Sequence, residues 1–384
     1  MMTPLVRGVA LALAMVLVAC AAPTPTPTVF ESDGDELRES GIAKSGDASS
    51  TSWSPDDNNW QHELARGEVI IHFVNVNQGD CTIIEWPDGT FSMMDCGTTT
   101  WKGNTPKPNP QAVRSYVRSV LGENPRLRSL ILTHPDADHI NMVPYVLEGV
   151  QIDHLYYVQP TSQWHYKKRT FAPPGWVSNG GDRYVSDFID DIPSQKKTWL
   201  DLHHIDWTGQ DSDWFEDSDC RVYLLAANVR GSSNSRSVVL MLENGGFKAM
   251  LCGDATRQTE DFILDYVNKH EFPRGYLDVD VLMAGHHGSQ KTSTGPAWVA
   301  AVRPELSVAS CGFVNEYGHP GGLVVRRLED TARTQAPPHR LRWFDDGEQV
   351  TRSNYDRDIF TTGSNGNIVV KGRRNGSYWV QYER

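Results

Sequence analysis

Leu130-Ile131-Leu132-Thr133-His134-Pro135-Asp136-Ala137-Asp138-His139 is an apolar run that passes directly into two histidines and two aspartates. The run predicts a buried strand. Imidazole and carboxylate groups crowded at a strand end can converge on one divalent cation. A solvated polar loop is the plainer reading for any one of these residues. The density of the cluster argues for a metal site, and so does the recurrence of Gly253-Asp254 and His286-His287-Gly288-Ser289 after later apolar runs. A two-ion centre needs a shared carboxylate, several ligands per ion and an open position for water. The candidate constellation is therefore His134, Asp136, Asp138, His139, Asp254, His286 and His287.

Outward from this stretch, the pattern predicts hairpins first and then strands alternating with helices. Val69–Val74, Cys81–Trp86 and Phe91–Met94 read as strands, separated by turns at Asn77-Gln78-Gly79-Asp80 and Pro87-Asp88-Gly89. Asn109 and Pro110 open a helix whose apolar positions, Val113, Tyr116, Val117, Val120 and Leu121, recur at helical spacing before Gly122. Later strands are expected at 222–226, 238–242, 247–251, 279–283 and 306–310. Helices are expected around Phe262–Val267 and from Val324. Residues 366–370 and 377–380 form a closing hairpin. This order suits sheets covered by helices, an α/β (α+β) protein. Between residues 154 and 220 periodicity weakens, while Tyr156, Tyr157, Trp164, His165, Tyr166, Trp176, Trp207 and Trp214 gather around Lys167-Lys168-Arg169. That segment reads either as an aromatic cap for bases, sugars or choline-like groups, or as a surface excursion pinned by its own rings.

The 384-residue chain has a net charge of −12, which does not suit passive adhesion to DNA or anionic lipid. Residues 1–19 read as a signal peptide, with Arg7 at the positive end and an apolar core too short to span a bilayer. The core ends at Leu17-Val18-Ala19-Cys20, which resembles a bacterial lipobox and makes Cys20 the expected lipidation site; the alternative is an ordinary signal with Cys20 there by chance. Residues 20–60, rich in Pro, Thr, Ser, Asp and Gly, read as a flexible tether. The expected location is the bacterial cell surface or a periplasm-facing membrane, reached through that lipid. Five further cysteines form no Cys-x-x-Cys pair, and the sequence selects no disulfide.

HPDADH resembles the His-x-x/Asp-x-Asp-His signature of the metallo-β-lactamase superfamily. More narrowly, the chain resembles the hydrolase domain of ComEC-type competence proteins and their stand-alone relatives. The matching pieces, in family order, are FVNVNQGDC (73–81), MMDCG (93–97), THPDADH (133–139), NSRSVVLML (234–242), LCGD (251–254), HHGS (286–289) and NEYGHP (315–320). The resemblance implies a four-layer αββα sandwich over residues 65–384 with two divalent ions, zinc or manganese, at one edge. By it, His134 and Asp136 hold one ion, Asp138 and His139 the second, and Asp254 bridges them. One of His286 and His287 is a further ligand, and the other positions substrate or passes a proton. Catalytic roles fall on Asp138, His287 and His319. Asp95 holds ligand imidazoles from behind, and His319 and Asn315 contact the phosphate or leaving group.

Two departures from the broad superfamily, both shared by ComEC-type proteins, stand out. Asp136 occupies a place where many members have His, which makes the site harder. Ser233 or Asn234 falls where another His is usual, so one ion is expected to bind more weakly. The membrane channel of competence transporters is missing, and DNA uptake is not implied. The expected activity is phosphodiester hydrolysis, first of extracellular nucleic acid and then of small esters such as phosphorylcholine groups. Lactone or β-lactam hydrolysis and a metal-poor, non-enzymatic binding module are the competing readings. No obligate protein partner is evident.

Overall fold

A computed structural model describes residues 38–42, 67–99, 107–158, 170–176, 184–200, 220–334 and 336–383. All lie in a compact unit spanning Glu36–Arg384. The first half of the chain supplies strands β1 Arg38–Ile42, β2 Glu68–Phe73, β3 Cys81–Glu85, β4 Phe91–Cys96, β5 Arg126–Leu132, β6 Gln151–Val158 and β7 Lys197–Leu200. The second half supplies β8 Cys220–Ala226, β9 Val239–Asn244, β10 Phe247–Leu251, β11 Val281–Met283, β12 Leu306–Ala309, β13 His339–Asp345, β14 Glu348–Tyr355, β15 Ile359–Thr361, β16 Ile368–Arg373 and β17 Tyr378–Tyr382. A nine-stranded sheet runs β1-β17-β16-β2-β3-β4-β5-β6-β7, and a six-stranded sheet runs β15-β12-β11-β10-β9-β8. β13 and β14 form a separate hairpin.

The two sheets pack face to face. Their shared core takes Ile71, Phe73, Met94 and Ile131 from one sheet and Leu240, Leu242, Phe247, Val281 and Val308 from the other. Alternate residues point outward. Leu130 and Leu132 therefore meet α1 (Pro110–Leu121) through Val113, Val117 and Val120. On the far side, Met241, Met250 and Leu282 meet α5 (Arg257–Lys269), α6 (Pro296–Val302) and α7 (Gly322–Glu329). The layers are thus helix, sheet, sheet, helix, as expected. The predicted cap of α1 is present: the Asn109 side chain accepts the Ala112 N–H, a contact worth about 1 kcal/mol.

The functional loops leave one end of the parallel strands. β4, β5, β6 and β7 are parallel, as are β10, β11, β12 and β15. The loops after β5, β10, β11 and β12 carry HPDADH, Gly253-Asp254, His286-His287 and the His319 segment respectively.

Three expectations change. The stretch read as an unstructured tether contributes β1, which pairs with β17 from Arg38↔Tyr382 to Ile42↔Tyr378. Edge backbone accepts a partner strand whatever its side chains. Where it is described, the segment 154–220 contributes strand and helix. Tyr156 and Tyr157 lie in β6, α4 (Val185–Asp191) and β7 follow, and Trp176 packs edge-on against Tyr145 with ring centroids 5.3 Å apart. Trp164, His165, Tyr166, Lys167-Lys168-Arg169, Trp207 and Trp214 lie outside the described residues, as do residues 1–19 and Cys20. The β13–β14 hairpin was not anticipated, because its arginines and acids interrupt any apolar run. Cys81, Cys96, Cys252 and Cys311 are buried and free, and Cys220 is buried.

Candidate metal centre

The loop after β5 is pressed against two glycine turns. A Cβ on Gly97 would lie 2.5 Å from the His139 and Ile140 amides, so only glycine permits the approach. Asp80 N donates to Asp138 O at 3.0 Å, and Gly97 N donates to Asp80 O at 2.9 Å. The turn read as Asn77–Asp80 is thereby fixed beside α2 (Ala137–Ile140).

Asp254 is the hub. Its Oδ1 lies 3.1 Å from His139 Nε2 and 3.3 Å from His287 Nε2. Its Oδ2 lies 3.8 Å from His134 Nε2 and 3.5 Å from His286 Nε2. His286 and His287 each face a different oxygen of the same carboxylate. Asp138 Oδ2 is 3.4 Å from His287 Nε2, and Asp136 Oδ2 is 3.6 Å from His134 Nε2. The groups divide into a buried Oδ1 side and a more open Oδ2 side, where the His286 side chain is 22% exposed and Asp136 38%.

The imidazoles are aimed from behind. His139 Nδ1 donates to Asp95 Oδ2 at 2.7 Å, while Asp95 also accepts from the Thr133 amide and hydroxyl. His287 Nδ1 donates to Ser310 O at 2.8 Å. Such bonds fix the tautomer and leave Nε2 facing the centre. Thr292 Oγ1 holds His286 Nδ1 at 2.7 Å, and Ser237 Oγ lies 3.2 Å from His134 Nδ1. His286 and His287 both take left-handed backbone, with φ of 49° and 56°, a conformation that costs on the order of 1–2 kcal/mol per non-glycine residue.

Nε2 of His134, His139 and His287 and Oδ1 of Asp254 are buried without a hydrogen-bond partner. One such group costs about 1–3 kcal/mol, so their convergence fits a bound cation. Asp80, His139, Asp254 and His287 place ligand-type atoms within 4.8 Å of one another. Charge balance points the same way. Burial works against charge on His139 and His287, yet Asp254, with Asp95 and Asp80, pushes both well above the usual imidazole range. Burial likewise opposes ionisation of Asp138, but His287 and His139 outweigh it and hold the carboxyl at about 2. The carboxylates that attract those protons are the ones that can hold a cation.

The remaining expected residues divide. Ser233 Oγ donates to Asp136 Oδ1 at 3.1 Å. Asn234 Nδ2 lies 2.9 Å from both Asp254 Oδ2 and His286 Nε2, where the usual imidazole is missing. His319 is brought in, its ring 5.9 Å from that of His287. Burial, then His287 and His286, push it down to about 3, so it is neutral near pH 7. Asn315 corrects its assignment. Its amide donates to Gly312 O and His319 O and accepts from His319 N, so its hydrogen-bonding groups shape the loop instead of facing substrate.

Asp80 was missed. Its Oδ2 is 3.6 Å from His139 Nδ1 and its Oδ1 is 3.7 Å from His287 Nδ1, on the outer edges of both rings. The available signal was an acid in the FVNVNQGDC string, read alone as a turn.

No family model matches the chain. ComE operon protein 3 of Bacillus subtilis is 27% identical over 274 residues, covering 69% of this chain and 31% of that protein. Recombination protein 2 of Haemophilus influenzae is 35% identical over 269 residues, covering 69% of this chain and 27% of that protein. The chain thus spans less than a third of these curated relatives. Among solved structures, the diiron β-hydroxylase CmlA of Streptomyces venezuelae aligns with a TM-score of 0.40 at 14% identity, covering 76% of this chain and 55% of that one. The chain's homologues are ComE/ComEC competence proteins, the resemblance that the order of its motifs carries.

Proposed function

We propose that this chain is an exported phosphodiesterase that holds two divalent ions, zinc or manganese, and cleaves extracellular nucleic acid. The observation that carries the reading is the division of Asp254, with one oxygen toward His139 and His287 and the other toward His134 and His286. In this reading Asp138 completes the first set of ligands and Asp136 the second. Such ions, when bound, acidify a water and offset charge on a phosphoryl group. Asp138, ionised at neutral pH, accepts a hydrogen bond from the attacking water and orients it. His319, neutral, offers an N–H to the leaving oxygen. Asp95 and Ser310 O keep two imidazoles in register. The mixed imidazole and carboxylate set suits either metal. The printed name of one relative, a recombination protein, supports nucleic acid as substrate.

Export rests on the charged, apolar and small-residue order of residues 1–19, and anchoring rests on Cys20. No helix among the described residues is long and apolar enough to cross a membrane.

The test is a metal-supplemented assay on bis-p-nitrophenyl phosphate, single-stranded DNA, duplex DNA, RNA, nitrocefin and a lactone. Phosphodiester turnover that needs manganese or zinc and is lost in Asp138→Ala is expected. Turnover of the lactone or nitrocefin alone would overturn the assignment. So would phosphodiester cleavage that survives both chelation and Asp138→Ala.

A further inference from the structure

The loop that ends at His319 carries Phe313, and two arginines lie over its ring. The guanidinium carbons of Arg340 and Arg342 are 4.8 and 4.2 Å from the ring centroid. Both come from β13, two residues apart, and reach the same ring although the strand's register shifts between His339 and Leu341. Many arginines of this acidic chain are ion-paired, among them Arg114 with Glu148, Arg126 with Asp153 and Arg326 with Asp345. Arg340 and Arg342 have no such partner among the described residues, and Arg342 Nε is buried without a hydrogen bond. Two like charges held together on one ring repel, and the ring offsets only part of that cost. An external anion would complete the balance.

The strand runs toward the metal centre. Phe344, which alternation places on the same face as Arg342, donates its N–H to Pro320 O at 2.9 Å, directly after His319. At about 3.3 Å per residue, Arg342 stands roughly 7 Å farther along, and Arg340 follows it at the register shift. Tyr317, 51% exposed, stacks on His319 with ring centroids 5.8 Å apart and planes 25° from parallel. Beside Phe313 opens a cleft of about 400 Å³ whose walls include Asn75, Asn109 and Lys107.

We propose that Tyr317, Phe313, Arg342 and Arg340 form a track for single-stranded nucleic acid leading away from the metal centre. The proposal rests on the phosphodiesterase reading above. Tyr317 stacks a base next to the reacting phosphate, and the two guanidinium groups take phosphates farther along the strand. A single strand is favoured over a duplex because an exposed ring can stack only on an unpaired base.

Binding of a labelled oligothymidylate to the metal-free full chain tests the track separately from turnover. Across a salt series, R340A/R342A should weaken binding at least about tenfold and reduce the salt slope by roughly 1.4, about 0.7 for each lost phosphate contact. The corresponding double lysine variant should keep most of that slope, and so distinguishes charge from misfolding. Tyr317→Ala should lose about tenfold in affinity, and Tyr317→Phe should retain it. With manganese, the ratio of oligonucleotide to bis-p-nitrophenyl phosphate turnover should fall about tenfold in R340A/R342A. Unchanged binding in R340A/R342A overturns the track. Failure of the wild type to bind the oligonucleotide, or equal affinity for duplex or polyglutamate, also overturns it. Arginine-dependent binding without any phosphodiester turnover would instead overturn the phosphodiesterase reading.

Discussion

Asp80 Oδ1 lies 3.7 Å from Nδ1 of His287, on the ring edge opposite the Nε2 that faces Asp254. The same carboxylate reaches the outer edge of His139 through its other oxygen, at 3.6 Å. A negative charge behind two imidazoles makes both better electron donors to a cation in front of them. Asp80→Asn, which keeps the volume and removes the charge, should weaken metal binding about 10–100-fold. Metal titration of the purified variant measures this, and wild-type affinity would reduce Asp80 to a purely architectural part.

Asn234 stands at the more open Oδ2 side, where an amide now faces Asp254 and His286 at 2.9 Å. Asn234→His would replace a hydrogen-bond donor with a ligand. If the two-ion proposal holds, the ion on this side should then bind at least about tenfold more tightly, approaching two ions per chain by metal analysis of dialysed protein. A stoichiometry and affinity equal to wild type would show that this position lies outside the coordination sphere.

His319, pushed down to about 3, carries no titrating charge between pH 5 and 8. His319→Gln, whose amide N–H cannot occupy the ring N–H position, should lower kcat by up to about 10²-fold, the scale of one misplaced hydrogen-bond donor, with little change in KM. Neither protein should owe an acidic limb near neutrality to this position. If the wild-type pH profile has a limb near pH 6.5 that the glutamine variant lacks, His319 is a proton-transfer group and its neutral assignment is wrong.

Glu260 sits in α5 and accepts the Thr294 and Gly295 amides, fixing the loop whose Thr292 hydroxyl holds His286. Burial pushes its carboxyl from 4.5 up to about 7 despite those donors. The folded value is raised, so the associated stability is complete below pH 4.5 and is lost as pH climbs to about 7. The difference corresponds to at most about 3 kcal/mol. Glu260→Gln should flatten the decline in urea stability between pH 5 and 8, with both proteins stripped of metal. Parallel slopes for the two proteins would remove Glu260 as the cause.

Local chemistry was legible where neighbouring residues determine it. Asn109, Pro110 and Gly122 delimit α1 because caps act within one turn. HPDADH announced the centre because four candidate ligands of two types lie in one loop. Asp80 escaped because its role arises only when β3 and β5 bring separate loops together. Asn315 was misassigned because its amide is consumed by a backbone turn, which no spacing reveals. The left-handed backbone of His286 and His287 is likewise hidden. That geometry lets consecutive imidazoles reach both oxygens of Asp254.

β2 pairs with β16 from Ile368↔Phe73 to Arg373↔Glu68, across almost the full length of the described chain. A polypeptide growing from its N-terminus cannot complete the centre of that sheet until synthesis is nearly finished. A premature stop before β16 would remove an interior neighbour of β2 instead of trimming a margin.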